Sequence, residues 1–213
     1  MVWLAATLGA VAALRSVNPP ATAVMLLQPG PVDGLAHEWV SRDAISVNAA
    51  RAVMASEDQR FLEHRGIDFV QLDRAIADYR DGDSLRGAST ITQQVAKNVF
   101  LWQGRSFVRK ALEAYFAVLI EMCWTKERIL EVYLNVAEFG PNVFGVEAAA
   151  REYFASSAAK LSVDDAALLA AVLPNPRELK AARPSQYVRE RQRFIASQIR
   201  LLEQRGHYRG IDW

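Results

Sequence analysis

Three clusters in the sequence hold side chains able to move protons or bind anions. Glu57 and Asp58 stand together, with Phe61 and His64 following at helical spacing. Ser89 and Thr90 precede a segment whose polar side carries Gln93, Gln94, Lys97 and Asn98, more hydrogen-bonding capacity than solubility alone requires. Arg109, Lys110 and Glu113 follow, and on a helix they set one carboxylate against two cations at the edge of an apolar run. Carboxylates can act as general bases or acids, and paired cations can hold an anionic group. Singly, each feature also has a structural reading. Glu57 and Asp58 could be solvated surface acids, His64 could complement a helix dipole, Arg109 and Glu113 could be a structural pair, and Ser89 or Thr90 could be caps.

Helices must position these groups, because the periodicity is helical and no convincing period-two run appears. The first is expected from about Asn48 to Arg65, stopping at Gly66, with Glu57, Phe61 and His64 on one face. A second follows Asp68 with Leu72, Ala75, Ile76 and Tyr79 as its buried stripe, ended by Asp81-Gly82-Asp83 and a polar loop from Ser84 to Ala88. Thr90 and Gln93 have capping-box spacing, so a third helix opens there with Ile91, Val95 and Val99 inward. The segment from Ser106 to Trp124 is apolar nearly all round and reads as a buried central helix. Thr125 caps the next, and further helices are expected over about 145–154, 163–172 and 186–205. The fold class is all-α, with residues 15–45 an extended lead-in and the globular part beginning near Ser46.

Composition narrows the function. The chain has 213 residues, room for one domain, and 51% of them are apolar, which excludes a disordered scaffold. The 25 Lys and Arg against 24 Asp and Glu give a net charge of +1, which argues against a nucleic-acid partner. Cys123 stands alone, so no intrachain disulfide and no cysteine-based zinc site can form. Residues 1–14 carry no charge; as a helix they reach about 21 Å, short of the roughly 30 Å core of a bilayer. They read as a clipped membrane anchor, taken over residues 1–18, or as an ordinary apolar helix, and not as a signal peptide, because no basic region precedes them.

The order of the blocks is more specific than any member. Residues 57–66 read EDQRFLEHRG, residues 87–94 GASTITQQ, residues 109–113 RKALE and residues 126–135 KERILEVYLN. This resembles the peptidoglycan glycosyltransferases, meaning the monofunctional biosynthetic transglycosylases and the equivalent domain of class A penicillin-binding proteins. The likeness runs from about Pro19 to the last helix, through GVEAAAREYF and LLAAVLPNP, so residues 19–213 would be the glycosyltransferase domain. No room remains for a transpeptidase domain, and the Ser157-Ala158-Ala159-Lys160 match to its Ser-x-x-Lys motif is a chance pattern.

The resemblance implies a lysozyme-like helical lobe with a smaller, mobile, membrane-proximal lobe. It implies polymerisation of lipid II into β-1,4-linked glycan strands by an inverting single displacement, with undecaprenyl pyrophosphate leaving. Glu57 matches the base that takes the proton from the acceptor 4-hydroxyl. Lys97, Arg109 and Lys110 match the cations that stabilise the leaving pyrophosphate. Glu113 matches the second glutamate, holding that cluster or a divalent cation such as Mg²⁺. Ser89, Thr90, Gln94 and Asn98 would line the donor site. The runner-up, a lysozyme-like hydrolase or lytic transglycosylase, has no use for the cation cluster; a membrane-anchored scaffold without activity does not explain the polar set.

The same resemblance implies a single-pass protein of the bacterial inner membrane with its catalytic domain on the periplasmic side. Its partners would be lipid II, the growing glycan strand, membrane lipid and proteins of cell-wall synthesis or division. Arg15 would then lie on the periplasmic side, against the positive-inside rule, and the short apolar run suggests that the span continues upstream. Phe100, Leu101, Trp102 and Phe107, around Gly104, read equally as a membrane-facing patch or a packed corner.

Overall fold

A computed structural model of the chain describes residues 2–27, 34–80, 89–104 and 106–213. The expected turn at Gln28-Pro29-Gly30-Pro31, the Tyr79 side chain and the expected helix end and loop over 81–88 lie outside the described residues.

The chain is mostly helical, in the order α1 (Val2–Leu14), α2 (Ala23–Leu27), α3 (Val47–Glu57), α4 (Phe69–Arg80) and α5 (Ile91–Phe100). There follow α6 (Phe107–Cys123), α7 (Lys126–Val136), α8 (Val146–Phe154), α9 (Val163–Val172) and α10 (Gln186–Gln204). Helix starts follow the capping chemistry. Ser106, Thr125 and Ser185 each accept a backbone N–H at the third helical position, and Thr90–Gln93 and Ser162–Asp165 form reciprocal capping boxes. At the core, α9 packs between α3 and α10, while α5 lies against α2, α6 and α7. Ile91, Val95, Ile129, Leu130, Tyr133 and Ile195 are among its enclosed side chains.

Four expectations change. Helix α3 ends at Glu57, eight residues before Arg65, because the backbone turns at Asp58, whose carboxylate is engaged elsewhere in the fold. The globular part begins well before Ser46: Val24 and Met25 are buried in α2, and the Asn135 side chain bonds both backbone groups of Val40. Among the described side chains of the expected α4 stripe, Ala75 is buried, Leu72 is half-buried and Ile76 is exposed. Helix α6 buries one face, Glu113, Phe116, Ala117 and Ile120, and leaves Phe107 97% and Met122 74% exposed. An all-round apolar helix fits a protein interior or a nonaqueous surface equally well, and periodicity cannot distinguish them.

A three-stranded sheet, β1 (Ala36–His37), β2 (Glu138–Gly140) and β3 (Val143–Phe144), has β3 in the middle, parallel to β1 and antiparallel to β2. Strands of two or three residues are too short to show alternation. Gly145, with φ +84°, follows β3 and lies against the Asn135 carbonyl, so a side chain is excluded there.

Helix α1 docks along α6. Trp3 stacks on Tyr115 at 5.0 Å, Thr7 and Tyr115 share a 2.7 Å hydrogen bond, and Trp124 Nε1 donates to the Val11 carbonyl at 2.7 Å. Arg128 donates to the carbonyls of Leu14 and Val17, closing the C-terminal end of α1. At the opposite end of the chain, Trp213 Nε1 donates to the Ile45 carbonyl at 3.1 Å, and Arg42 donates to that of Asp212. No helix among the described residues is long and apolar enough to cross a membrane.

Candidate active site

Asp58 organises the first block. Its Oδ2 accepts the backbone N–H of Ile91 at 3.0 Å, the first residue of α5, where the helix dipole favours a negative charge. Its Oδ1 accepts from His64 Nε2 at 2.9 Å. The loop after α3 is thereby fastened to α5, and Lys126 fastens it to α7 by donating to the His64 carbonyl and to Glu121 Oε1, both at 2.8 Å. Thr92 also donates to Glu121, and the Lys126 ammonium lies 4.3 Å above the Phe61 ring. His64 and Phe61 are buried parts of this brace.

Glu57, the last residue of α3, faces α5. Gln94 Nε2 donates to Glu57 Oε2 at 3.0 Å, and the buried Tyr133 hydroxyl donates to Gln94 Oε1 at 3.2 Å. Burial pushes the Glu57 carboxyl above the usual range; the Gln94 hydrogen bond and the Arg191 and Lys97 charges offset part of that rise. Glu57 therefore lies nearer neutrality than a surface glutamate, where a carboxylate can both exist and accept a proton.

The second and third blocks meet beside it. Arg109 donates to Glu113 Oε2 at 2.6 Å, and Lys110 bonds both Glu113 Oε1 and the Ser89 hydroxyl. Arg109 Nε also donates to the Gly104 carbonyl, holding the guanidinium at the cleft wall. Lys97 makes no ion pair among the described residues. Burial lowers its pKa, with Arg109 and Lys110 acting in the same direction and Glu113 and Glu138 opposing. A half-buried ammonium with no carboxylate partner among the described residues, beside two further cations, suits an anionic ligand.

Two recesses adjoin Glu57. One is lined by Glu57, Asp58, Ser89 and Thr90 among others. The other, about 440 Å³, is lined by Gln94, Lys97, Asn98, Arg109, Tyr133 and Glu138 among others. Glu57 thus touches the first and reaches the second through Gln94. Thr90 is a buried cap, its hydroxyl donating to the Gly66 carbonyl and accepting from Gln93 N, so it offers no free group to a ligand. Gln94 is engaged at both ends of its amide.

Sequence reasoning missed Glu138, Tyr133 and Arg191. Glu138 accepts from Arg177 Nε at 2.9 Å, and burial raises its pKa, with Arg177 and Lys97 opposing. It sits just beyond the fourth block, in a strand too short to predict. Arg191 stands 3.8 Å from Glu57 Oε1, and nothing in the charged run around it singles it out.

Two places could be considered for a metal. Asp58, His64 and Asp68 have ligand atoms within 4.8 Å of one another and all are buried. Asp58 is already held as described, while Asp68 Oδ1 caps α4 at Val70 N and Gln71 N and Oδ2 faces Arg60 at 3.6 Å, so the trio acts as a brace. Glu113 has each oxygen engaged by a cation and does not fit a resident metal site. A Mg²⁺ ion there would have to displace Lys110 or Arg109 and draw its other ligands from a substrate.

A transglycosylase family model matches residues 27–200 of the chain. Among curated relatives, a biosynthetic peptidoglycan transglycosylase of Chromohalobacter salexigens is 58% identical over 165 residues, covering 78% of this chain and 70% of its own length. That of Pseudomonas aeruginosa is 50% identical over 207 residues, 93% of this chain and 89% of the relative. That of Pseudomonas savastanoi pv. phaseolicola is 48% identical, covering 100% of this chain and 93% of the relative.

Proposed function

This chain belongs to the transglycosylase family and is a peptidoglycan glycosyltransferase, and from its cleft we propose that it polymerises lipid II into β-1,4-linked glycan strands. The observation that carries this reading is the placement of a partly buried carboxylate, Glu57, joined through Gln94 to a pocket walled by Lys97 and Arg109, with Lys110 and Glu113 clustered on Arg109. The acceptor 4-hydroxyl gives its proton to Glu57 as its oxygen attacks the anomeric carbon of the donor sugar. The bond from that carbon to the pyrophosphate breaks, and undecaprenyl pyrophosphate departs with the electron pair. Lys97, Arg109 and Lys110 stabilise the charge that grows on it, preorganised so that little reorientation accompanies the reaction. Glu113 holds two of those cations, and Ser89 and Asn98 offer hydrogen bonds beside them. One displacement without an enzyme nucleophile inverts the anomeric centre; a sugar ester trapped on Glu57 or Glu113 would overturn this mechanism.

The lobe carrying α3, α9 and α10 corresponds in this reading to the lysozyme-like part, and the α5–α6 connection to the smaller membrane-proximal part. Residues 1–18 then serve as an anchor segment of the inner membrane, with the domain from residue 19 onward on the periplasmic side. The exposed Phe107, Met122 and Trp3 support a lipid-facing surface. The growing glycan strand and other cell-wall synthesis or division proteins would be its partners. The deciding experiment is lipid II polymerisation by Glu57→Gln, with circular dichroism to confirm the fold. Loss of strand formation is expected, and undiminished activity would remove Glu57 from its role.

A further inference from the structure

The last long helix brings to the cleft one side chain that none of the four sequence blocks contains. Arg191, on α10, places a guanidinium nitrogen 3.8 Å from Glu57 Oε1, and its Nε has no hydrogen-bond partner among the described residues. The other polar groups facing Glu57 are Ser56 on its own helix, Gln94 and Lys97 on α5 and Tyr133 on α7. Because the Tyr133 hydroxyl donates to Gln94 Oε1, the amide nitrogen of Gln94 must face Glu57 Oε2. That oxygen has a fixed neutral donor, and Oε1 is the one directed at Arg191.

The spacing has two consequences. At 3.8 Å the cation makes no short hydrogen bond, so Oε1 keeps a lone pair for an incoming hydroxyl. The pair is still close enough, with side chains only 27% and 14% exposed, to favour the carboxylate over the carboxylic acid. We propose that Arg191 is a positioning residue for glycosyl transfer, holding Glu57 ionised with Oε1 as the oxygen that receives the acceptor proton. This rests on Glu57 being the base. The O–H bond of the acceptor breaks, the proton passes to Oε1, and Arg191 stays outside the bonds that change.

The test is the pH dependence of kcat and KM for lipid II polymerisation in Arg191→Gln and Arg191→Lys, with Arg193→Gln as a control on the exposed side of the same helix. Arg191→Gln should move the acidic limb of the profile up by about one pH unit. Rates on that limb fall about tenfold while KM and the rate above it are unchanged. Arg191→Lys should restore most of the shift, and Arg193→Gln should not move the limb. An equal loss at every pH, or a raised KM with the limb unmoved, would overturn the proposal and make Arg191 a structural support or a substrate ligand. Glu57→Gln separates the two levels: if it remains active the base assignment fails, and if it is inactive while the limb stays put only the role of Arg191 fails.

Discussion

The Arg109 guanidinium donates to Glu113 Oε2 across 2.6 Å, one turn apart on α6, and Glu113 Oε1 is bonded by Lys110. The carboxylate is buried, Arg109 is nearly so, and Lys110 is close to half exposed. Glu113→Gln keeps the shape and removes the charge that orients both cations. The expected result is a KM for lipid II raised about tenfold, with a loss of kcat, measured by steady-state polymerisation. Chemical denaturation of Glu113→Ala should show a loss of about 1–3 kcal/mol, less than for a fully buried pair because Lys110 is solvated.

A bell-shaped pH–rate profile is expected, with its limbs drawn inward. As the proposed base, Glu57 has to be deprotonated, and burial raises its pKa, so activity should fall on acidification sooner than for an ordinary carboxylate. In the proposed mechanism Lys97 has to be protonated to hold the leaving group, and burial lowers its pKa, so activity should fall on alkalinisation sooner than for an ordinary lysine. Lys97→Arg, whose charge persists to higher pH, should move the alkaline limb upward and leave the acidic limb in place.

Two glycines should respond oppositely to alanine. At Gly145, φ is +84° and a Cβ would stand 2.8 Å from the Asn135 carbonyl oxygen, so Gly145→Ala should destabilise by about 2 kcal/mol or more. At Gly9, within α1, nothing lies within 4 Å, and Gly9→Ala should stabilise by up to about 1 kcal/mol. Thermal unfolding of the two variants checks both signs.

The corner around Gly104 divides between two environments. Leu101 is buried and Phe100 stacks on Phe116 at 4.6 Å, whereas Trp102 is 42% and Phe107 97% exposed. Phe107→Ser and Trp102→Ser should each weaken cosedimentation with lipid vesicles about tenfold, the effect of losing one buried aromatic contact. Phe100→Ser should lower stability instead. Unchanged vesicle binding in both exposed variants would show that this surface does not meet lipid.

What the sequence revealed and what it concealed follow from the range of the forces involved. The starts of α5, α6 and α7 were legible because capping is local: Thr90 with Gln93, Ser106 and Thr125 each bond groups within one turn. The end of α3 was not, because Asp58 is held by Ile91, 33 residues further on. The four blocks named Glu57, Arg109, Lys110 and Glu113 as candidates, and the resemblance added Lys97, but their order along the chain carries no distances between them. Thr90 caps α5 as its spacing with Gln93 predicts, but the bond from its hydroxyl to the Gly66 carbonyl, 24 residues away, leaves no local trace in the sequence. Arg191 approaches Glu57 through packing of α10 on α3, and nothing in its neighbours along the chain records that contact.

The bond between Trp213 and the Ile45 carbonyl spans 168 residues, and the parallel pairing of β1 with β3 joins residues 36–37 to 143–144. Contacts of such separation form late, after the entropy of closing long loops has been overcome. During synthesis, the segment that leads into α3 therefore waits for partners that leave the ribosome more than a hundred residues later. The groups that surround Glu57 come from residues as late as Arg191, so the proposed base meets its full surroundings only when most of this sequence has been made.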